Sequence, residues 1–169
     1  MISKSKYFIS EVSLFQLYYS LVYPYLYYGN IIWGSAYKSN LRRLKVLQKR
    51  VIRIITRSSF DAHTAPLFHK YHLLTLENIH LLQVALFMFS VHCNSIPSTF
   101  QSMFNKNCVL HQYNTRQAND YKVLYSRTNI LKTSIVSFGP RLWNSLPTDL
   151  KILKISNLYP ASKIVLNIF

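Results

Sequence analysis

The sequence predicts a mainly α fold: a helical bundle over residues 1–104, a less regular region over 105–150 with candidate short strands, and a poorly specified tail at 151–169. Three observations carry that reading. Residues 41–57 place an apolar side chain at every third or fourth position, the period of an amphipathic helix. Start and stop residues, among them Ser39, Thr64, Thr75, Gly34, Asn94 and Pro97, bracket the apolar runs before Phe104. After Phe104, residues Asn105, Asn107, Asn114, Asn119 and Asn129 punctuate shorter runs in which neither a helix nor a strand period lasts.

A first helix runs from Glu11 towards Tyr23, where Pro24 either kinks it or opens the next helix at a position that needs no N–H. Gly34 and Ser35 end that unit, and Ser39 is read as the N-cap of a basic helix lasting to about Thr56. Residues 58–64 make a polar connection, after which Thr64 and Pro66 open a short helix through Tyr71. Thr75 caps a long apolar helix, Leu76 to His92, closed by Asn94 and Pro97. Farther on, residues 121–125 and 135–138 are the candidate strands, and Gly139-Pro140 leads into a short helix that begins at Arg141 and stops at Pro147.

The charge is one-sided. Twenty Lys and Arg against five Asp and Glu give +15 and a pI near 10.0, so the chain repels itself unless a polyanion neutralises it. Nucleic acid is therefore the default partner. A hydrophobic fraction of 50% argues against disorder. Cys93 and Cys108 cannot build a disulfide framework, and the N-terminal stretch lacks the order of a secretory signal, which points to an intracellular location, nuclear or cytoplasmic.

Between Glu11 and Lys38 no residue is charged, a run long enough to cross a bilayer. Its composition speaks against crossing. Tyr18, Tyr19, Tyr23, Tyr25, Tyr27 and Tyr28 would carry phenols through the hydrocarbon, with Gln16, Pro24 and Asn30 adding further unsatisfied groups. The segment is read instead as a buried helical pair, and no membrane span is expected.

Catalytic signals are missing. The carboxylates Glu11, Asp61, Glu77, Asp120 and Asp149 are scattered, with no pair of the kind that holds two metal ions or does acid–base work. Three glycines, Gly29, Gly34 and Gly139, cannot make a phosphate loop. For a metal, Cys108 and His111 have zinc-like spacing, whereas His92 and Cys93 are adjacent and diverge on a helix; His80 is the remaining candidate ligand. Cys93 is read as a small buried side chain. No catalytic residue, metal or cofactor is expected.

The basic helix is the strongest positive signal. Leu44, Leu47, Val51, Ile54 and Ile55 share one arc with Leu41 and Ile52 beside them, while Arg42, Arg43, Lys45, Lys49, Arg50, Arg53 and Arg57 take the other. An ordinary solvated face mixes signs for i,i+4 pairing, and this one contains no acid. Its expected role is to hold nucleic-acid phosphates, with Arg116 and Arg127 adding polar contacts. Trp33 and Tyr37 are candidate base-stacking residues or, more simply, core. The rival reading is a basic, non-enzymatic protein lying on a membrane surface.

Five phrases stand in order: LYYSLVYPYLYYGNIIWG (17–34), NLRRLKVLQKRVIRIIT (40–56), HTAPLFHKYHLLTLENI (63–79), HQYNTRQ (111–117) and FGPRLWNSLP (138–147). Together they resemble the C-terminal portion of non-LTR, LINE-type retrotransposon reverse transcriptases of the jockey and CR1 kind, over about residues 10–150. The resemblance implies the thumb and the region after it, whose helices grip the template-primer backbone. It also implies a partner, the palm domain with its Ala-Asp-Asp catalytic turn, which this chain does not contain; no catalytic residue carries over. The end departs from the family pattern: ISNLYPASKIVLNIF (155–169) stands where a Phe-Lys-x-x-Leu-Lys phrase is expected, as in a degraded or truncated element. The implied protein is a non-catalytic fragment of an RNA-directed DNA polymerase that binds RNA or DNA without sequence readout.

Overall fold

The computed structural model describes residues 2–110, 115–147 and 151. Of the described residues 63% are helical, so the mainly α class holds. Packing divides it into two units, the division falling between His80 and Leu81. That division separates cores, whereas the change at Phe104 is one of sequence texture.

In the first unit, α1 (Ile2–Ser5) and α2 (Glu11–Leu17) precede a π turn at Tyr18–Val22, followed by α3 (Tyr23–Tyr27) and α4 (Asn30–Trp33). The Ser10 hydroxyl caps α2 by accepting the Ser13 N–H at 3.2 Å, and Glu11 lies in the first turn, where a carboxylate meets the positive end of the helix. Of the two roles expected for Pro24, the structure gives it the helix start: it sits in the first turn of α3, and just before it the backbone widens so that the Tyr23 N–H reaches the Tyr18 carbonyl. Inward positions recur at every fourth residue, Leu14, Tyr18, Val22, Leu26 and Asn30. This corrects the expected burial of the tyrosines. Tyr18 is buried and Tyr23 half-buried, but Tyr19, Tyr25, Tyr27 and Tyr28 are exposed, because one inward line cannot take six rings.

The basic helix is α5 (Lys38–Ile55), and α1 and α2 pack against it. It begins one residue before the expected cap: Tyr37 is the N-cap, without a side-chain hydrogen bond, and Ser39 lies inside. After it come α6 (Ala65–Lys70) and α7 (Leu76–His92), the latter with the Thr75 hydroxyl accepting the Asn78 N–H at 3.2 Å, as expected of a cap. Leu14, Tyr18, Ile52, Ile55, Phe68 and Leu73 form one core cluster of this unit, and Leu26, Leu76 and Ile79 another.

Three helices end alike without glycine. Arg57, His72 and Asn94 adopt left-handed φ values of 52°, 50° and 54° just past α5, α6 and α7. The next N–H in each case reaches back over the last turn: Ser58 to Arg53 O at 3.0 Å, Leu73 to Phe68 O at 2.9 Å, Ser95 to Ser90 O at 2.9 Å.

The second unit contains α8 (Ser98–Gln101), α9 (Asn107–Leu110), α10 (Asn129–Thr133) and α11 (Ile135–Ser145). Its core is Met88, Phe89, Val91, Phe104, Tyr121 and Trp143. Neither candidate strand forms. Residues 121–125 contribute one isolated antiparallel bridge, Tyr121 to Lys106, and residues 135–138 are the first turn of α11. Gly139-Pro140 lies within that helix instead of preceding it. Proline removes one ladder bond there, but both residues are buried, and a side chain on Gly139 would press on the Met88 sulfur, which would have to shift to admit it. Tyr113 and Asn114, and the tail phrase at 155–169, lie outside the described residues.

Among the described residues no helix is long and apolar enough to cross a membrane.

Candidate nucleic-acid interface

Helix α5 is positioned by its buried face, and that face is not the one its leucines suggest. Gln48, Ile52 and Ile55 are buried, with Leu41, Leu44 and Val51 half-buried around them, whereas Leu47 is 55% exposed. The inward direction is turned by about one residue's rotation towards Gln48. Three hydrogen bonds account for this: the Gln48 amide donates to Tyr18 Oη at 3.1 Å and to Leu74 O at 2.9 Å, while its carbonyl oxygen accepts the Leu76 N–H at 3.0 Å. A single side chain thereby ties α5 to the π turn and to the start of α7.

Locking that face inward turns the cations outward. Arg42, Arg43, Lys49 and Arg50 are exposed. Their positions share an arc with Lys38, which the sequence reading left out because it took Ser39 as the cap; the signal was the spacing Lys38, Arg42, Lys45, Lys49. The other three expected cations are engaged. Lys45 is half-buried and paired with Glu77. Arg53 Nε donates to Ala62 O at 2.8 Å. Arg57 stands past the helix end, where its guanidinium donates to Lys6 O at 3.1 Å and Ile9 O at 3.3 Å, and so fastens the N-terminal segment.

The Glu77 carboxyl is held below its usual range, first by the Lys45 hydrogen bond, with Lys45, Lys38 and Lys49 adding charge attraction. Glu77 neutralises one edge of the cationic arc and leaves the arginine edge open. Val46 and Leu47, both 55% exposed, lie on or beside that edge and supply apolar contact area.

The second unit holds Arg116 and Arg127, both exposed. Of the candidate stacking residues, Trp33 packs against the Leu26 cluster with its indole N–H on Tyr28 O at 2.8 Å, whereas Tyr37 is exposed at the start of α5.

The candidate metal ligands are placed apart in role. His80 Nδ1 faces Asn30 O at 3.2 Å and Asn30 Oδ1 at 3.1 Å; both are acceptors, so this nitrogen carries the proton. Burial pushes the His80 pKa down. The His92 ring lies against Trp143, tilted by 38° with centroids 5.4 Å apart, and burial lowers its pKa too. Cys93 is exposed, correcting its expected burial, because α7 ends at His92 and the chain turns away. Cys108 is also exposed, and His111 lies outside the described residues. Among the described residues no three His, Cys, Asp or Glu side chains gather as they would around a metal ion.

No family model, curated protein or solved structure matches the chain.

Proposed function

We propose that this chain is a non-catalytic nucleic-acid-binding module whose α5 surface holds the phosphate backbone, and that it derives from the thumb and post-thumb portion of a non-LTR retrotransposon reverse transcriptase. The observation that carries the binding role is the outward set Arg42, Arg43, Lys49 and Arg50 on a helix whose opposite face is pinned by Gln48, Ile52 and Ile55. Phosphates are regularly spaced anions, and a rigid row of cations meets them without reading bases. The parentage rests on the five ordered phrases, and the partner it implies is the palm domain of the parent polymerase. The fastening of Lys45, Arg53 and Arg57 by groups of the chain itself leaves Lys38, Arg42, Arg43, Lys49 and Arg50 as the outward cations of α5, with the exposed Arg116 and Arg127 as further candidates in the second unit.

Replacing Arg42, Arg43, Lys49 and Arg50 by Gln is expected to lower affinity for single-stranded RNA and duplex DNA alike by about 100-fold at low salt, with an unchanged circular dichroism spectrum. Equal binding by the variant overturns the assignment. Vesicles of anionic lipid serve as the rival arm, since Tyr25, Tyr28 and Ile32 are 81%, 85% and 79% exposed. Flotation with such vesicles in preference to nucleic acid would favour a membrane-surface role.

A further inference from the structure

The second unit is closed where the end of α7 meets α11. On α7, Met88, Phe89 and Val91 are buried, and on α11 so is Trp143. Gly139 lies against Met88, and the Trp143 ring lies 6.3 Å from Phe89 and 5.4 Å from His92, centroid to centroid. His92 is thus the last side chain of that contact. Its Nδ1 is a buried nitrogen with no hydrogen-bond partner among the described residues. Buried polar atoms are ordinarily partnered, so this one calls for a physical reason.

The reason lies in the charge state. A neutral ring can carry its proton on Nε2 and leave Nδ1 as a lone pair, which costs less than a buried charge. A charged ring must place a second proton on Nδ1, where no acceptor receives it. The groups acting on that charge are both cations: the half-buried Lys106, whose ammonium lies over the Tyr121 ring, and Lys151, whose ammonium donates to Asn144 O at 3.2 Å. Arg141 of α11 is exposed, and no described carboxylate pairs with His92. The remaining titratable groups around this core are the exposed Cys93 thiol and the Tyr121 phenol, which burial makes harder to ionise. A helix C-terminus ordinarily favours a protonated histidine; here burial and the two lysines prevail and lower the pKa.

We propose that His92 is an acid-sensitive latch of the second unit: neutral, its ring completes the α7–α11 contact, and protonated, it drives that contact open. The contact holds more than two helices together. Asn144, one residue past Trp143, accepts the Tyr121 N–H at 3.1 Å and donates to the Tyr121 carbonyl at 2.8 Å, and Tyr121 in turn bridges Lys106. Opening at His92 therefore loosens α11, the 121–125 segment and the chain leading into α9 together. None of the α5 cations takes part, so the latch stands or falls separately from the backbone-binding role.

The test is urea unfolding of the full chain from about pH 8 to about pH 5, followed by NMR at the indole N–H of Trp143, with the Trp33 indole marking the first unit. A lowered folded pKa gives stability that is complete above the ordinary histidine value of 6.5 and lost as pH falls towards the folded value. The Trp143 midpoint should therefore fall below pH 6.5, the unfolding constant rising by at most about tenfold per pH unit for one proton. His92→Phe, which keeps a ring against Trp143, should flatten that fall, whereas His80→Gln in the first unit should leave it. The His92 C2–H titration should have its midpoint below 6.5 and move up when Lys106→Gln and Lys151→Gln are combined, a readout that does not depend on how well His92→Phe folds. The α5 variant with four Gln substitutions should behave like the parent chain. A Trp143 midpoint that holds steady down to about pH 5, an equal fall in His92→Phe, or a His92 titration unmoved by the lysine substitutions overturns the proposal.

Discussion

Gln48 occupies the position where an apolar helix face would ordinarily carry leucine. Its amide satisfies the Tyr18 hydroxyl, the Leu74 carbonyl and the Leu76 N–H, each in a buried or half-buried setting. Gln48→Ala leaves those groups unpartnered and is expected to cost roughly 2–4 kcal/mol in denaturant unfolding, far more than Arg50→Gln on the exposed side. An equal loss from both would mean that the face is not locked as described. Gly34 is similarly constrained: an added Cβ collides with Asn30 O, Asn30 Oδ1 and His80 Nδ1, so Gly34→Ala should destabilise by about 1–3 kcal/mol. Glu77 adds a pH signature. Its folded pKa is depressed, so its contribution is complete above the ordinary value of 4.5 and is lost as pH falls through the lower folded value. In Glu77→Gln the decline of stability below about pH 4.5 should be shallower than in the parent chain.

At the scale of elements, the long helices were legible and their ends were not. The cap at Thr75 and the run Leu76–His92 followed from spacing alone, as did the end of α5 at Thr56. The closures at Arg57 and His72 carry no glycine to announce them, because the back-reaching hydrogen bonds outweigh a left-handed penalty of about 1–2 kcal/mol. His72→Gly removes that penalty and should raise stability by about 0.5–1 kcal/mol, read as an increase in Tm; a decrease would assign His72 a contact that outweighs it. Gly139-Pro140 misled in the opposite sense, since a pair that punctuates exposed chain is tolerated where α11 is buried on Met88. The π turn was hidden because Pro24 fits equally well as a kink or a start. It sets Tyr18, Tyr19, Tyr23 and Tyr27 into successive ring contacts, with centroids 5.3, 5.5 and 5.7 Å apart. Burial, with Tyr27, Tyr19 and Tyr18 nearby, pushes the Tyr23 phenol up to about 12. A raised folded pKa gives stability that is complete below the ordinary value of 10.0 and lost as pH climbs towards about 12. Ultraviolet tyrosinate titration should therefore show a late phase that coincides with alkaline unfolding, and Tyr23→Phe should remove part of it.

For the whole molecule, the charge was plain in the composition, but which cations face outward was not. The first eighty residues hold eleven Lys and Arg against three carboxylates, and the fold spends Lys45, Arg53 and Arg57 on its own carboxylate and carbonyl groups. A periodic reading of the leucines placed Leu47 inside because it could not foresee three polar groups converging on Gln48. The candidate interface was thus legible as a helix and as a charge, and became a defined set of residues only through packing. Binding through such a set is electrostatic, so it must weaken with salt in proportion to the phosphates engaged. The decisive measurement is the slope of log K against log salt for a nucleic acid of fixed length, compared between the parent chain and the Arg42, Arg43, Lys49 and Arg50→Gln variant. A slope shallower by about 3 in the variant is predicted, whereas identical slopes would contradict backbone contact by α5.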